Sequence, residues 1–336
     1  MRRYAQAAGC LPILALLAPV GAQQPASWHD PSPHVVRFVT VEKDVRLEVL
    51  DWGGSGRPVI LLAGGGNTAH LFDDFAPKLQ LTARCHVYGI TRRGFGASGF
   101  SAANHGADRL GDDVLAVIGA LKLDRPVLVG HSIAGAELSE VATRHSDRVA
   151  GLVYLEAAYP YAFDNGKGPT MGEFRNISGP QPPAPGASEL ASFRALQRWD
   201  AQTYGFQSPE AEFRQTWEAT PDGRPAKPRD FPGSQVFMTI MTGDKRYSDM
   251  RVPALVVFAI PHIPDEWTAT SKDPAVRGTA RSYYSALDIL AEKQAKSLEA
   301  GWPTARVIRL KGRHYVFASN ESDVLREVRA FVAGLK

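Results

Sequence analysis

The run Pro126-Val127-Leu128-Val129-Gly130-His131-Ser132-Ile133-Ala134-Gly135-Ala136-Glu137 constrains the fold of this chain more than any other stretch. Its first half is short and aliphatic, suited to a strand, and stops at Gly130. Its second half, from Ile133, is compatible with a helix. A strand that becomes a helix within three residues leaves its middle residue on a tight bend, and that residue is Ser132. Small neighbours are needed there, because bulk at Gly130 or Ala134 would collide with the reversing backbone. The bend pushes the hydroxyl out at the carboxyl end of the strand. Taken alone, such a serine could equally cap the helix from 133 by accepting hydrogen bonds from its free amides.

The rest of the chain decides between those readings. Residues 35–41 and 45–51 alternate as a hairpin turning at Lys43-Asp44. Residues 58–63 are a continuous apolar run, as in a strand buried on both faces of a parallel sheet. A helix near 69–79, a strand at 84–90, a helix over 108–122, the strand before Ser132 and a buried strand at 149–155 follow. Strand and helix in repeated turn predict a doubly wound, mostly parallel α/β sheet. The alternation stops over 160–250. Pro180, Pro182, Pro183 and Pro185 mark a loop there, helix-like pieces follow near 187–203 and 209–219, and Pro221 to Pro232 reads as loop again. It resumes with a strand at 252–259, a helix over 279–299, a strand over 304–310 and a closing helix over 320–334. The expected organisation is a core of 35–159 and 251–336, interrupted by a helical lid of 160–250.

The bend at Ser132 resembles the nucleophile elbow of the α/β-hydrolase superfamily. The usual closing glycine is Ala134 here, and a glycine follows at Gly135. Thr91-Arg92-Arg93-Gly94-Phe95-Gly96-Ala97-Ser98 is similar to the loop after the next strand in that superfamily, and is read as structural. The resemblance covers nearly all the chain after residue 34 and implies an eight-stranded sheet. It also implies Ser132 as nucleophile, with an oxyanion hole built from the backbone N–H groups of Ile133 and Gly65. Gly65 lies in Gly64-Gly65-Gly66-Asn67, after the strand at 58–63. The common His-Gly pair is Ala63-Gly64 here, so Asn67 is a candidate for the hydrogen bonds that a histidine would make.

A base able to take the serine proton near neutral pH should be a histidine. His314 follows the last strand and a Lys311-Gly312-Arg313 turn, where the superfamily keeps its catalytic histidine. His131, beside the nucleophile, is expected to support the elbow. The acid has two candidates. The usual slot falls near His262, with Asp265 three residues on in a Pro261/Pro264 loop. Glu156 instead ends the strand after the elbow unit, where certain dehalogenases and lactonases of the superfamily place their acid. A carboxylate closing so apolar a strand needs a partner, which favours Glu156.

The function implied is a serine hydrolase cleaving carboxylic esters or lactones through an acyl-serine intermediate. Phe174, Trp199, Phe206, Trp217, Phe237 and Met241 in the inserted segment point to apolar or aromatic groups on the substrate. Ser132 argues against haloalkane and epoxide chemistry, which uses an aspartate nucleophile in this fold. A cofactor-free lyase or C–C bond hydrolase on the same triad, or a non-catalytic binding protein of the same fold, are the alternatives.

Composition narrows the partners. A formal net charge of +3 with no basic block excludes a nucleic-acid surface. Residues 1–22 read as a secretory signal peptide, with Arg2 and Arg3, an apolar stretch to Val20 and small residues before Gln23. Export to the periplasm or beyond is therefore expected. Pro12 and Pro19 break a run too short for a stable membrane anchor. Residues 23–34, rich in Pro, Gln and Ser, read as a disordered leader. After cleavage only Cys85 remains, so no internal disulfide is expected. His34, His70, His86, His105 and His145 fall in loops or on surfaces, where solvated histidines are the default. They show no metal-ligand spacing, and no metal or cofactor is expected. The partner expected is a small-molecule ester or lactone.

Overall fold

The computed structural model describes residues 28–101, 105–243 and 245–336. The signal-peptide reading of 1–22 and the first part of the leader lie outside the described residues. A hairpin of β1 (Val35–Glu42) and β2 (Val45–Gly54) opens the fold, turning at Asp44 with φ 64°. Then follow β3 (Pro58–Leu62), α1 (Phe75–Ala83), β4 (His86–Ile90), α2 (Ala107–Ala120), β5 (Val127–His131), α3 (Ala134–Arg144) and β6 (Gly151–Leu155). The inserted segment carries α4 (Met171–Arg175), α5 (Phe193–Tyr204), α6 (Glu210–Thr216), β7 (Trp217–Ala219), β8 (Pro225–Pro228) and α7 (Ser234–Thr242). The chain closes with β9 (Ala254–His262), α8 (Glu266–Thr270), α9 (Pro274–Gly301), β10 (Ala305–Gly312), α10 (Val316–Ser319) and α11 (Glu321–Gly334).

Eight strands form one sheet in the order β1-β2-β4-β3-β5-β6-β9-β10. The pairs β1/β2 and β2/β4 are antiparallel and the others parallel. The expected mostly parallel, doubly wound sheet is thus what the chain forms. Alternation along the buried strands feeds two cores. Ile60 and Leu62 of β3 face α2, α3 and α9, while Val59 and Leu61 face α1, α10 and α11. Burying both faces leaves only the carboxyl ends of the parallel strands open, and ligands in such sheets bind there.

The inserted segment departs from its sequence reading in several places. The helix-like piece expected over 209–219 ends at Thr216, and Trp217–Ala219 is β7 instead, drawn out of the helix by its pairing with β8. Pro221 to Pro232 is not all loop: β7 and β8 pair as a short antiparallel ribbon, with Thr220 N–H donating to Arg224 O at 2.8 Å around the turn. Residues 234–242 are helical, which the sequence reading left unassigned. The strand read as ending at 259 runs on to His262, because it keeps pairing with β10 as far as Gly312. Among the described residues no helix is long and apolar enough to cross a membrane.

The described part of the leader, 28–34, has no regular secondary structure but is not loose. Trp28 stacks under the Arg214 guanidinium at 4.5 Å, and His34 Nδ1 donates to Asp73 Oδ1 at 2.8 Å.

Candidate active site

Two residues at the carboxyl ends of adjacent strands adopt left-handed backbone without being glycine: Ser132 (φ 53°) after β5 and Glu156 (φ 52°) after β6. Each costs about 1–2 kcal/mol and persists only where the surroundings enforce it. Ser132 N–H donates to Leu155 O at 3.2 Å, and Glu156 N–H to Val257 O at 2.9 Å, so both turns are stitched to the next strand. The tight position on the elbow helix is Gly135 and not Ala134. A Cβ at Gly135 would lie 1.8 Å from the Ala157 carbonyl oxygen, whereas the Ala134 methyl is fully buried without such a conflict. The glycine has moved one residue because the close backbone approach is there.

The Glu156 carboxylate is wholly buried and takes four hydrogen bonds. Ala259 N–H donates to Oε1 at 2.6 Å, while Tyr159 Oη (2.7 Å), His262 Nε2 (3.3 Å) and His314 Nδ1 (3.4 Å) converge on Oε2. Burial alone would raise its pKa, but the hydrogen bonds from His262 and His314 hold it down at about 2. Glu156 is therefore ionised at any physiological pH. With Nδ1–H of His314 directed at the carboxylate, Nε2 is the nitrogen left to accept a proton. The His314 side chain is 46% exposed, while Glu156 is at 0%.

His131 ties the elbow to this histidine. Its Nε2–H donates to the His314 carbonyl at 3.1 Å, and its ring packs 4.8 Å from that of His314. Burial, then the nearby His314, push its pKa well below the ordinary value, so it stays neutral. Asp265 does not reach His314. It stands just before α8 without a side-chain capping bond, its N–H donates to Tyr284 Oη at 3.1 Å, and burial raises its carboxyl pKa.

Among the described residues, neither Gly65 N–H nor Ile133 N–H donates to a protein acceptor. The two residues are neighbours, with a Cβ on Gly65 lying 3.7 Å from Ile133 Cγ2 and 2.7 Å from the Phe237 ring of α7. The carbonyls of the preceding turn are held by Arg92, which donates to Ala63 O at 2.7 Å and Gly64 O at 3.2 Å and pairs with Glu137. Arg92 thus carries much of the support that the sequence reading looked for in Asn67. Asn67 instead joins the loop to the insertion, donating from Nδ2 to Glu212 Oε1 at 3.0 Å and accepting from Tyr315 Oη at 3.1 Å.

Three contributors were not picked out from the sequence. His262 occupies the usual acid slot and donates from Nδ1 to Asp288 Oδ1 at 2.6 Å and from Nε2 to Glu156. Burial opposes its protonation, but the two carboxylates outweigh that and raise its pKa. Tyr159 donates to the Glu156 carboxylate, and Tyr161 lines the same cavity as Ser132. His34 and His70, read as solvated, are buried against Asp73.

Ser132, His314, Gly65 and Ile133 all line one cavity of about 600 Å³, with Glu156 in its floor and Asp265 in its wall. Its other walls are largely aromatic, among them Tyr161, Phe174, Tyr204, Phe206, Phe237 and Tyr283. A cavity of this size, apolar with a few convergent polar groups, suits a small organic ligand.

Among known proteins, the chain is 33% identical over 126 residues to a non-heme haloperoxidase of Rhodococcus erythropolis, covering 37% of this chain and 44% of that one. It is 28% identical over 182 residues to a pyrethroid hydrolase of Sphingobium wenxiniae, covering 50% and 63%. The chain spans about half the length of the curated relatives it matches. E-2-(acetamidomethylene)succinate hydrolase shares its fold with a TM-score of 0.62 at 17% identity, over 90% of this chain and all of that one. An esterase from Rhodococcus sp. ECU1013 does so with a TM-score of 0.57 at 17% identity, over 90% and 99%. The model of the alpha/beta hydrolase family matches residues 59–328, and with the sheet order and elbow described above the chain belongs to that family.

Proposed function

We propose that this protein is a serine hydrolase that cleaves carboxylic esters or lactones bearing apolar or aromatic groups. The observation that carries the reading is the buried Glu156 carboxylate contacting His314 in the cavity that also holds Ser132. In this reading Ser132 Oγ attacks the carbonyl carbon while its proton passes to His314 Nε2. Glu156 fixes the imidazole tautomer and stabilises the imidazolium that forms. The carbonyl oxygen becomes an oxyanion facing the N–H groups of Gly65 and Ile133, each worth about 3–4 kcal/mol to the transition state. Collapse expels the alcohol, which takes the proton from His314. Water activated by the same histidine then cleaves the acyl-serine.

His262 and Tyr159 are positioning residues in this account. They hold Oε2 of Glu156 where His314 meets it, so the acid does not have to reorganise as charge develops. The relatives support a hydrolase: one is named a pyrethroid hydrolase, of Sphingobium wenxiniae, and another a bifunctional esterase/perhydrolase, of Acinetobacter calcoaceticus. The aromatic walls support the preference for apolar groups. Kinetics on p-nitrophenyl and aryl esters and on lactones test both parts. Uncharged aryl or medium-chain acyl esters should give the highest kcat/KM, with turnover lost in Ser132→Ala. A charged short ester as the best substrate would contradict the proposed preference.

A further inference from the structure

Away from the cavity, four side chains converge where residues 28–34 cross the turn after the glycine-rich loop. Asp30, His34, His70 and Asp73 each offer one donor atom within 4.8 Å of the other three. The side chains of His34, His70 and Asp73 are buried, and Asp30 is 22% exposed at the open side.

Hydrogen bonding alone leaves part of this cluster unexplained. His34 Nδ1–H donates to Asp73 Oδ1 at 2.8 Å, which leaves the Nε2 lone pair of His34 facing Asp30 Oδ2 at 3.7 Å, beyond hydrogen-bond reach. His70 Nδ1 lies 3.1 Å from Asp73 Oδ2 and 3.3 Å from Asp30 Oδ2, and one ring nitrogen has one hydrogen to give. Asp30 Oδ1 accepts from Ser32 N–H at 2.9 Å, a bond that fixes the carboxylate with Oδ2 toward the histidines. Three of the six donor–donor separations, 3.1, 3.3 and 3.7 Å, bracket the edge of about 3.4 Å of a tetrahedron whose ligands stand about 2.1 Å from a central ion, and all six lie within 4.8 Å.

The surroundings fit the same geometry. A metal-bound imidazole usually hands its other N–H to a carboxylate. Glu48 Oε1 sits 3.5 Å from His70 Nε2, and Glu48 is itself fixed by the Thr91 hydroxyl at 2.6 Å. Asp73 Oδ1 is held by Trp52 Nε1–H at 3.1 Å, which leaves Oδ2 on the His70 side.

We propose that Asp30, His34, His70 and Asp73 form a four-coordinate site for a divalent transition metal of the Zn²⁺ class. Two imidazoles and two carboxylates suit zinc better than calcium or magnesium, which take oxygen ligands. Four protein ligands leave no open position, so the site is structural. It staples residues 28–34 to the turn at Ala69–Phe72, which directly follows the loop carrying Gly65 and Asn67. The competing arrangement is a protonated His70 shared between carboxylates, with no metal.

The test uses the tag-free chain, stripped with chelator and titrated with zinc chloride by calorimetry. One equivalent should bind with Kd below about 1 μM. Free zinc at about 100 times Kd should raise the thermal midpoint by about 5 °C. Asp30→Asn should weaken zinc binding by at least about 10-fold while moving the metal-free midpoint by less than about 2 °C. Cobalt(II) should give visible absorption of tetrahedral intensity, lost in His70→Gln. The proposal is overturned if the wild-type chain shows no saturable uptake below about 100 μM zinc. It is equally overturned if uptake survives unchanged in Asp30→Asn and His34→Gln, or if the variants shift only the metal-free midpoint. Ester turnover by the metal-free chain is read separately, so neither result bears on the assignment of Ser132.

Discussion

At the sheet edge, Ser132 and Glu156 sit in left-handed backbone that their neighbours force on them. Across the cavity, α5 and α6 pack around a small core of their own, Phe193, Leu196 and Phe213, and α7 buries Val236 and Ile240 against the main core. The edge is over-determined: strands fix both turns, Ala157 leaves room only for glycine at 135, and four donors hold one carboxylate. The covering segment meets the edge through side chains instead of strand pairing, with Glu212 accepting from Asn67 and Thr68 and Phe237 lying over Gly65. In this molecule the groups that would make and break bonds are separated from those that would choose the substrate. The walls can therefore change without disturbing the edge.

The largest effect should come from Glu156, the proposed acid at the edge. Glu156→Gln keeps the shape but loses the charge that stabilises the imidazolium, and kcat should fall by about 10⁴-fold. Asp265→Asn, in the wall of the same cavity, should change kcat by less than about 5-fold. Steady-state kinetics on one aryl ester compare the two, and the reverse order would move the acid to Asp265.

Next in size is a pair of glycines, one from each region. Gly135→Ala drives a methyl into the Ala157 carbonyl and should cost about 3 kcal/mol in denaturant unfolding. Gly223, in the β7–β8 turn, has φ 81° and open space where a Cβ would go. Gly223→Ala should cost only the left-handed backbone penalty of about 1 kcal/mol. Equal costs would contradict the contrast between the packed edge and the open β7–β8 turn.

The smallest effect is a pH dependence confined to the covering segment. Asp200 on α5 is raised to about 7 by burial and then by the charge of Glu212. Glu212 on α6 is raised to about 7 by burial, against its hydrogen bonds from Thr68 and Asn67. Both carboxyls bind protons more tightly folded than unfolded. Their stabilisation is full below the unfolded pKa of about 4 and is lost as pH rises through about 7. Amide protection factors in α5 and α6 should fall several-fold between pH 5 and pH 8 while β5 and β6 stay unchanged, and Asp200→Asn should flatten that slope. Glu156 runs the other way. Its lowered pKa gives stability that is present above the unfolded value and is lost only in strong acid.

Much of the edge could be read from the sequence because its signals are local. A strand ending in Gly-His-Ser, a glycine-rich loop after a buried strand, a carboxylate closing an apolar run and a histidine after the last strand each occupy a few adjacent residues. The parts that escaped depend on distant partners. His262 meets Asp288 from a helix 26 residues away, and the strand carrying it was read three residues short. The burial of His34 and His70 depends on Asp73 and on a segment whose composition suggests disorder. The β7–β8 ribbon did leave a local mark. Pro221-Asp222-Gly223 between Thr220 and Arg224 is turn chemistry that the flanking prolines obscured.

The most direct test is labelling with a fluorophosphonate probe, followed by peptide mapping, on wild type and on Ser132→Ala. The account predicts one probe per wild-type chain, attached to Ser132, with labelling lost in the variant and slowed when His314 is replaced by alanine. A folded wild-type chain that takes up no probe, or that carries it on another residue, would contradict it.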